Sequence, residues 1–418
     1  MPHVVKRIVL NLLRIAWQLR NLCLPFQRRT SQRQFALVSH VLPPTWSGQA
    51  MVIQRIIQHI GSDQYLLIDS RGYESNVPAT DNRVGLPAEP GQLLWLKDST
   101  LGRLSIAFRI CLRAWRIARH VHRAKCRSIV ACSGDLIDLP AAALASHLTG
   151  TAFVAYLFDD YLNQWSFAPH VQRVAKALEG PMLRKAAAVI VPNESHVQSL
   201  KQRLDIDCTL IRNPAVAPPT PHVSFKRGDA STPPLIVYTG AVYHVNFSAF
   251  RTLIAAMRQL SPVGARLEIY TAQDPTHLAT QGICGDDVAI YPHVEPEEAA
   301  QIQRKADVLF MGFSFNEQVA EIVRTSAPGK LGDYLASGRP ILALTPPNSF
   351  LATYFDEHQC GILVDREDPA AVKVALQQLL DDAAASARYV SNATRLASAE
   401  FSPEVAASRF WHLLEKAA

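Results

Sequence analysis

Lys330 and Asp333 stand three residues apart in "APGKLGDYLASGRPILAL", Ala327 to Leu344. Pro328 and Gly329 break the chain before them. Leu331 to Ala336 reads as one amphipathic turn, and Gly338-Arg339-Pro340 breaks the chain again ahead of the apolar run Ile341 to Leu344. An ammonium beside the free N–H groups of a helix start suits phosphate, and a carboxylate one turn further in suits a ribose diol. The plain alternative is a structural helix-to-strand connection. A second acidic feature, Asp159-Asp160, closes the apolar run "AFVAYLFDD". The two are adjacent rather than spaced as D-x-D, so no metal site is read from them. The seven cysteines are scattered, odd in number and never spaced as C-x-x-C. That argues for a reducing compartment and against a disulfide frame or structural zinc.

The elements that must position these groups alternate along the chain. "FALVSHVLPPTWSGQAMVIQRIIQHI" reads as strand, Pro/Gly loop and helix, with "QYLLIDS", "SIVACSGD", "AFVAYLFDD", "AAAVIVPN" and "CTLIRNP" as later strands. A long basic helix runs from Leu101 to Arg127, with Arg109, Arg113, Arg116, His120 and Arg123 at 4-3-4-3 spacing. Those five are expected to form the solvated face of an ordinary α/β helix. Between Pro214 and Pro234 lie six prolines and little apolar content, the composition of a domain linker. Beyond it the alternation restarts with "PLIVYTG", "RLEIYTA", "VAIYPHV", "DVLFMGF" and "GILVD", and a last helix spans Pro403 to Lys416. The pattern predicts an α/β protein of two doubly wound parallel sheets. Ligands of such sheets bind at the carboxyl ends of the strands, so two facing domains would make a cleft.

At 418 residues, 48% apolar and 19% charged, the chain is globular and too long for one core. The net charge of +6 is uneven: residues 1–34 hold seven basic residues and no acid, which leaves −1 for the remainder. A general nucleic-acid-binding surface is therefore disfavoured. In this arm Arg7, Asn11, Arg14, Gln18 and Asn21 share one helical face and Ile8, Leu12, Ile15, Leu19 and Leu22 lie opposite. Arg14 interrupts the apolar run well short of the ~20 residues of a membrane span, and no small-residue cleavage site follows. The arm reads either as an interfacial helix on an anionic leaflet or as a helix packed on the protein's own core.

The order of motifs resembles a GT-B glycosyltransferase of the retaining family 4, the glycosyl transferases group 1, over Phe35 to the C-terminus. The resemblance rests on "LPPTWSGQA", "VPNES", "IRNP", "YTGAVYHVN", "KADVLFMG" and "PGKLGDYLASGRPIL". It implies two Rossmann-like domains facing across a cleft: an acceptor domain over 35–215, the linker 216–234, and a nucleotide-sugar-binding domain over 235–400. Residues 401–418 would form a helix packing back toward the first domain, after the arm of residues 1–34. It also implies Asp333 as the ribose-binding acid and Lys330 as a catalytic cation, with the donor diphosphate on the N–H groups around Ser326 to Leu331. Charge grows on that leaving group as the glycosidic bond breaks, and an ammonium with a fixed dipole would stabilise it without a metal or cofactor.

Gly48 stands where the family's glycine lets backbone approach the diphosphate, though by itself it reads equally as a turn. Gly240 would lie under the phosphates, Asn246 matches an asparagine of the family's opening loop, and His293-Val294 of "YPHV" would hold the base with main-chain groups. His293 reads as a turn residue rather than a catalyst. Asp159 or Asp160 would accept or orient the acceptor hydroxyl proton, the alternative being a helix cap or turn acid. Thr325 is counted among the donor-binding positions but departs from the pattern, since the family commonly has a glutamate there, and Glu317 and Glu321 are out of register. The expected function is transfer of a sugar from a nucleoside-diphosphate donor to a glycan or lipid-linked saccharide, in polysaccharide or glycoconjugate biosynthesis. Its expected place is the cytoplasm, and the inner membrane face if the arm docks there rather than packing on the core. A sugar-nucleotide epimerase or inverting transferase of the same fold, and a non-catalytic membrane-docked scaffold, remain open alternatives.

Overall fold

The computed structural model describes residues 32–45, 47–70, 80–87, 99–216, 232–260 and 264–417. The arm proper and most of the proline-rich stretch lie outside the described residues. Two compact units result. The first takes the chain up to Val191, with Leu200–Leu210 and the residues from Ala407 on; the second takes Pro192–Ser199 and Ile211–Ala406.

The first unit is built on seven strands: β1 (Phe35–Ser39), β2 (Tyr65–Asp69), β3 (Arg83–Gly85), β4 (Ser128–Cys132), β5 (Ala152–Tyr156), β6 (Ala188–Val191) and β7 (Thr209–Leu210). They pair in parallel in the order β3-β2-β1-β4-β5-β6-β7. Strands of a parallel sheet are covered on both faces, so they run apolar rather than alternating. "FALVS" and "SIVAC" are buried at every position. Phe410, from the helix Pro403–Ala417, completes this core edge-on to Phe35, with ring centroids 5.4 Å apart.

The second unit holds β8 (Leu235–Thr239), β9 (Arg266–Thr271), β10 (Val288–Pro292), β11 (Val308–Gly312), β12 (Ile341–Leu344) and β13 (Ile362–Val364). Their order is β10-β9-β8-β11-β12-β13, all parallel. In each sheet the order reverses once, between β1 and β4 and between β8 and β11. Loops leaving the carboxyl ends of those strands diverge, which opens a crevice for a ligand.

The Arg109–Arg123 face is not a solvated one throughout. In the helix Thr100–Ala124, Arg109 and Arg113 are buried, at 4% and 1% exposed. Arg113 donates to Asp135 at 2.9 Å and to Asp138 at 2.6 Å, and Ser70 Oγ donates to the other Asp138 oxygen at 2.8 Å. Equal spacing shows that residues share a face; here part of that face turns inward because two buried acids meet it. Among the described residues, no helix is long and apolar enough to cross a membrane.

Candidate active site

The second unit's crevice begins where β8 ends. Gly240 follows it at φ +116°, a conformation that L side chains rarely adopt, and its N–H donates to Tyr270 O at 2.8 Å. A Cβ on Gly240 would meet Lys330 Cε and Nζ at 3.2 Å, so the lysine lies across the glycine. Lys330 Nζ sits 3.6 Å from the centroid of the buried Tyr238 ring, a cation–π arrangement. The side chain keeps part of its surface open, yet burial, opposed only by the charge of Asp333, pulls its pKa down to about 7. A diphosphate entering over Gly240 would supply a further anion to hold the proton.

Lys330 is the N-cap of the helix Leu331–Ala336, and Asp333 lies in its first turn. Asp333 Oδ1 accepts the Val216 N–H at 2.7 Å. The acid lines a hollow with Val216, Ala300, Gln303, Arg304, Ala336 and Ser337. The wall is tied to the end of β8, because Gln303 Nε2 donates to Thr239 Oγ1 at 2.9 Å and Thr239 N donates to Tyr334 Oη at 3.0 Å. A cation over a glycine turn, with a carboxylate one helical turn away, is an arrangement able to hold a diphosphate and a ribose together.

The neighbouring loop divides differently from the expectation. The Ser326 N–H is taken by Val323 O at 3.3 Å and the Leu331 N–H by Pro328 O at 3.0 Å, so neither faces a ligand. The N–H groups of Gly329 and Lys330 have no protein acceptor among the described residues. Thr325 is buried and ends the helix Ala320–Thr325, its carbonyl accepting from Asn193 Nδ2 at 2.8 Å. Glu321 is paired with Arg324 at 2.9 Å.

Asn246 is also a joint rather than an open ligand group. Its Nδ2 donates to Gly312 O at 2.8 Å and its Oδ1 accepts from Tyr243 N at 3.3 Å, which ties the loop after β8 to the end of β11. His293 is exposed and Val294 half-buried at the end of β10, beside Tyr291, whose ring stacks on Tyr270 at 4.9 Å.

Sequence reading missed the braces behind this loop. Asn213 Nδ2 donates to Ala327 O at 3.2 Å, so "VPNES" and "IRNP" each supply an asparagine to one short segment. Arg212 forks onto Glu194 at 2.7 and 2.6 Å, reaches Glu400 at 3.0 Å, and lies among the rings of Phe350, Tyr354 and Phe401. These contacts fix Arg212 as a brace and not a group open to a ligand.

In the first unit, Gly48 opens the helix Gly48–Ile57, is exposed, and would place a Cβ in open space. Asp159 and Asp160 part company. Asp160 is buried; its Oδ1 accepts the N–H groups of Leu162 and Asn163 at 3.0 and 2.9 Å, and its Oδ2 pairs with Arg203 at 3.1 Å. That is a turn acid, the alternative weighed for it. The Asp159 side chain reaches solvent, while burial of its surroundings and the Asp160 charge push its carboxyl up. In the same unit, burial and Asp135, against the pull of Arg113, raise Asp138 to about 7.

Residues 233–382 match the family model described as glycosyl transferases group 1. The second unit carries a glycosyltransferase domain. The chain has the GT-B fold over the 92% of it that similar structures cover. Sucrose-phosphate synthase from Thermosynechococcus elongatus is similar over 92% of this chain and 99% of its own, at TM-score 0.67 and 15% identity. HepE from Anabaena, in complex with UDP and glucose, is similar over 92% and 100%, at 0.62 and 16%. A glycosyltransferase from Rickettsia africae is similar over 92% and 98%, at 0.63 and 11%. No curated protein sequence matches. Within the glycosyltransferase domain, Gly240, Lys330 and Asp333 all fall inside the matched residues.

Proposed function

We propose that the protein transfers a glycosyl group from a nucleoside-diphosphate sugar to a glycan or lipid-linked saccharide acceptor, with retention, in glycoconjugate or polysaccharide biosynthesis. The observation that carries this reading is Lys330 laid across Gly240, with Asp333 one turn along the same short helix. In this reading the ammonium and the Gly329 and Lys330 N–H groups take the diphosphate, and Asp333 takes the ribose. Leaving-group charge is then met without a metal or cofactor. A uridine donor is the first to test, since HepE was seen with UDP and with UDP-glucose.

On the acceptor side, Asp159 is the carboxylate left open to solvent, and its raised pKa suits a group that takes a proton. Docking on the inner membrane face through residues 1–34 belongs to the same proposal. The test is a thermal-shift panel of UDP, GDP and ADP sugars, followed by nucleotide release with and without saccharide acceptors. A donor that binds only the folded protein raises the melting temperature. Acceptor-dependent release supports transfer. One similar structure is a putative UDP-N-acetylglucosamine 2-epimerase from Listeria monocytogenes, at TM-score 0.57 and 12% identity. Sugar isomerisation without acceptor would favour that second reading, and no response to any sugar nucleotide would favour a scaffold.

A further inference from the structure

We infer that the helix Thr100–Ala124 carries a docking face for an anionic lipid bilayer, separate from the N-terminal arm. Its inner face is buried through Ile106, Arg109, Arg113, Ala114, Ile117 and Val121. On the opposite side Leu101, Leu104, Phe108, Cys111 and Trp115 follow one another at 3-4-3-4 spacing, which is a single stripe of an α-helix. Leu101 and Leu104 are 61% exposed and Phe108 is 57% exposed. Single exposed apolar residues are ordinary, but three large ones in line on a helix already anchored by its other face mark an interaction surface.

Charge decides the occupant. From Ser99 to Arg127 there are eight lysines and arginines and no acid. Arg109 and Arg113 are buried; Arg103 is exposed in the first turns beside Leu104, Arg123, Lys125 and Arg127 are exposed at and beyond the helix's far end, and Arg119 lies 5.8 Å from the Trp115 ring. The cations crowd one another: His120 is held below its usual pKa by burial and then by Arg123 and Arg119. A second copy of this face would bring like charges together, and residues 1–34 contain no acid to meet them. A groove that wraps a basic helix would need the side already buried in the fold. An anionic leaflet meets all of these conditions, because it is flat, apolar beneath and negative on top.

The test uses the full-length chain and vesicles of phosphatidylcholine with or without phosphatidylglycerol. Leu104→Gln with Phe108→Gln should lower partition onto the anionic vesicles by at least about tenfold, with an unchanged melting temperature, since both side chains leave water only on the membrane. Arg103→Glu with Arg123→Glu should remove the preference for phosphatidylglycerol. Maleimide labelling of Cys111, which is exposed in solution, should slow when anionic vesicles are added. Unchanged partition of both double variants would place all binding elsewhere, residues 1–34 included, and overturn the inference. A lowered melting temperature of the Leu104/Phe108 variant would show that the protein's own chain covers the stripe. A dimer lost in that variant would show a second copy there. Either result overturns it too.

Discussion

Lys330 is the group whose charge answers most directly to what sits beside it. Its pKa of about 7 lies below the ordinary 10.5. Between those values the unfolded chain holds a proton that the empty folded protein has released, so ligand-free stability rises with pH through that window. A bound diphosphate reverses the preference and draws the proton back. Titration of a nucleoside diphosphate at pH ~8, in buffers of different ionisation enthalpy, should therefore show proton uptake. Lys330→Met should abolish that uptake. Asp333 carries two duties, since it also accepts from Val216 N. Asp333→Asn can keep an acceptor for that N–H while losing the charge, so nucleotide-sugar affinity should fall by about 1.5–3 kcal/mol in calorimetry with little change in melting temperature. The two first-unit acids should separate cleanly. Asp159→Asn should lower turnover and spare stability, whereas Asp160→Ala should lower stability by about 1–3 kcal/mol in denaturant titration, because Arg203 and two N–H groups lose their acceptor.

At the scale of elements, the segment from Thr325 to Lys330 is held by side chains far from it in sequence. Asn193 bonds Thr325 O across 132 residues while its Oδ1 accepts the His196 N–H at 2.8 Å and caps the next helix. Asn193→Ala should cost about 0.5–2 kcal/mol for the cap. It should also speed amide exchange over residues 325–330 and weaken donor binding, measured by exchange mass spectrometry and calorimetry on the same sample. This coupling is what sequence pattern carried least. The helix Leu331–Ala336 and the strand Ile341–Leu344 were legible because breakers bound them and local periodicity fills them. The same holds for the strand-by-strand alternation of both units. A long-range asparagine bond leaves no period behind, and "VPNES" and "IRNP" stood out only by family resemblance. The basic helix shows the other limit. Its 4-3-4-3 spacing gave a shared face but not the direction of Arg113, which depends on Asp135 and Asp138 in a later stretch. The neighbouring acids of "SGDLID" were the available signal.

For the whole molecule, the covalent order of the chain and its compact units do not coincide. Arg212 and Asn213 precede the proline-rich stretch and Val216 lies at its start, yet all three belong to the second unit, where they brace Glu400, Ala327 and Asp333. A fragment of residues 211–406 should therefore melt several degrees above one of residues 232–406, whose aromatic cage of Phe350, Tyr354 and Phe401 would lack its cation; equal melting temperatures would deny these residues a structural role. The chain's end runs the other way. Phe410 packs on Phe35 and lies 6.3 Å from the ring of Tyr156, both in the first sheet. On the ribosome, then, the earliest strands emerge without the ring that closes their core, and about 375 further residues must be made after Phe35 before it appears. At ~5–20 residues per second that is a wait of about 20–75 s, during which Phe35 has no edge-on partner and a chaperone has its opening. A nonsense change just before Phe410 would spare every donor-site residue and injure the domain that was synthesised first.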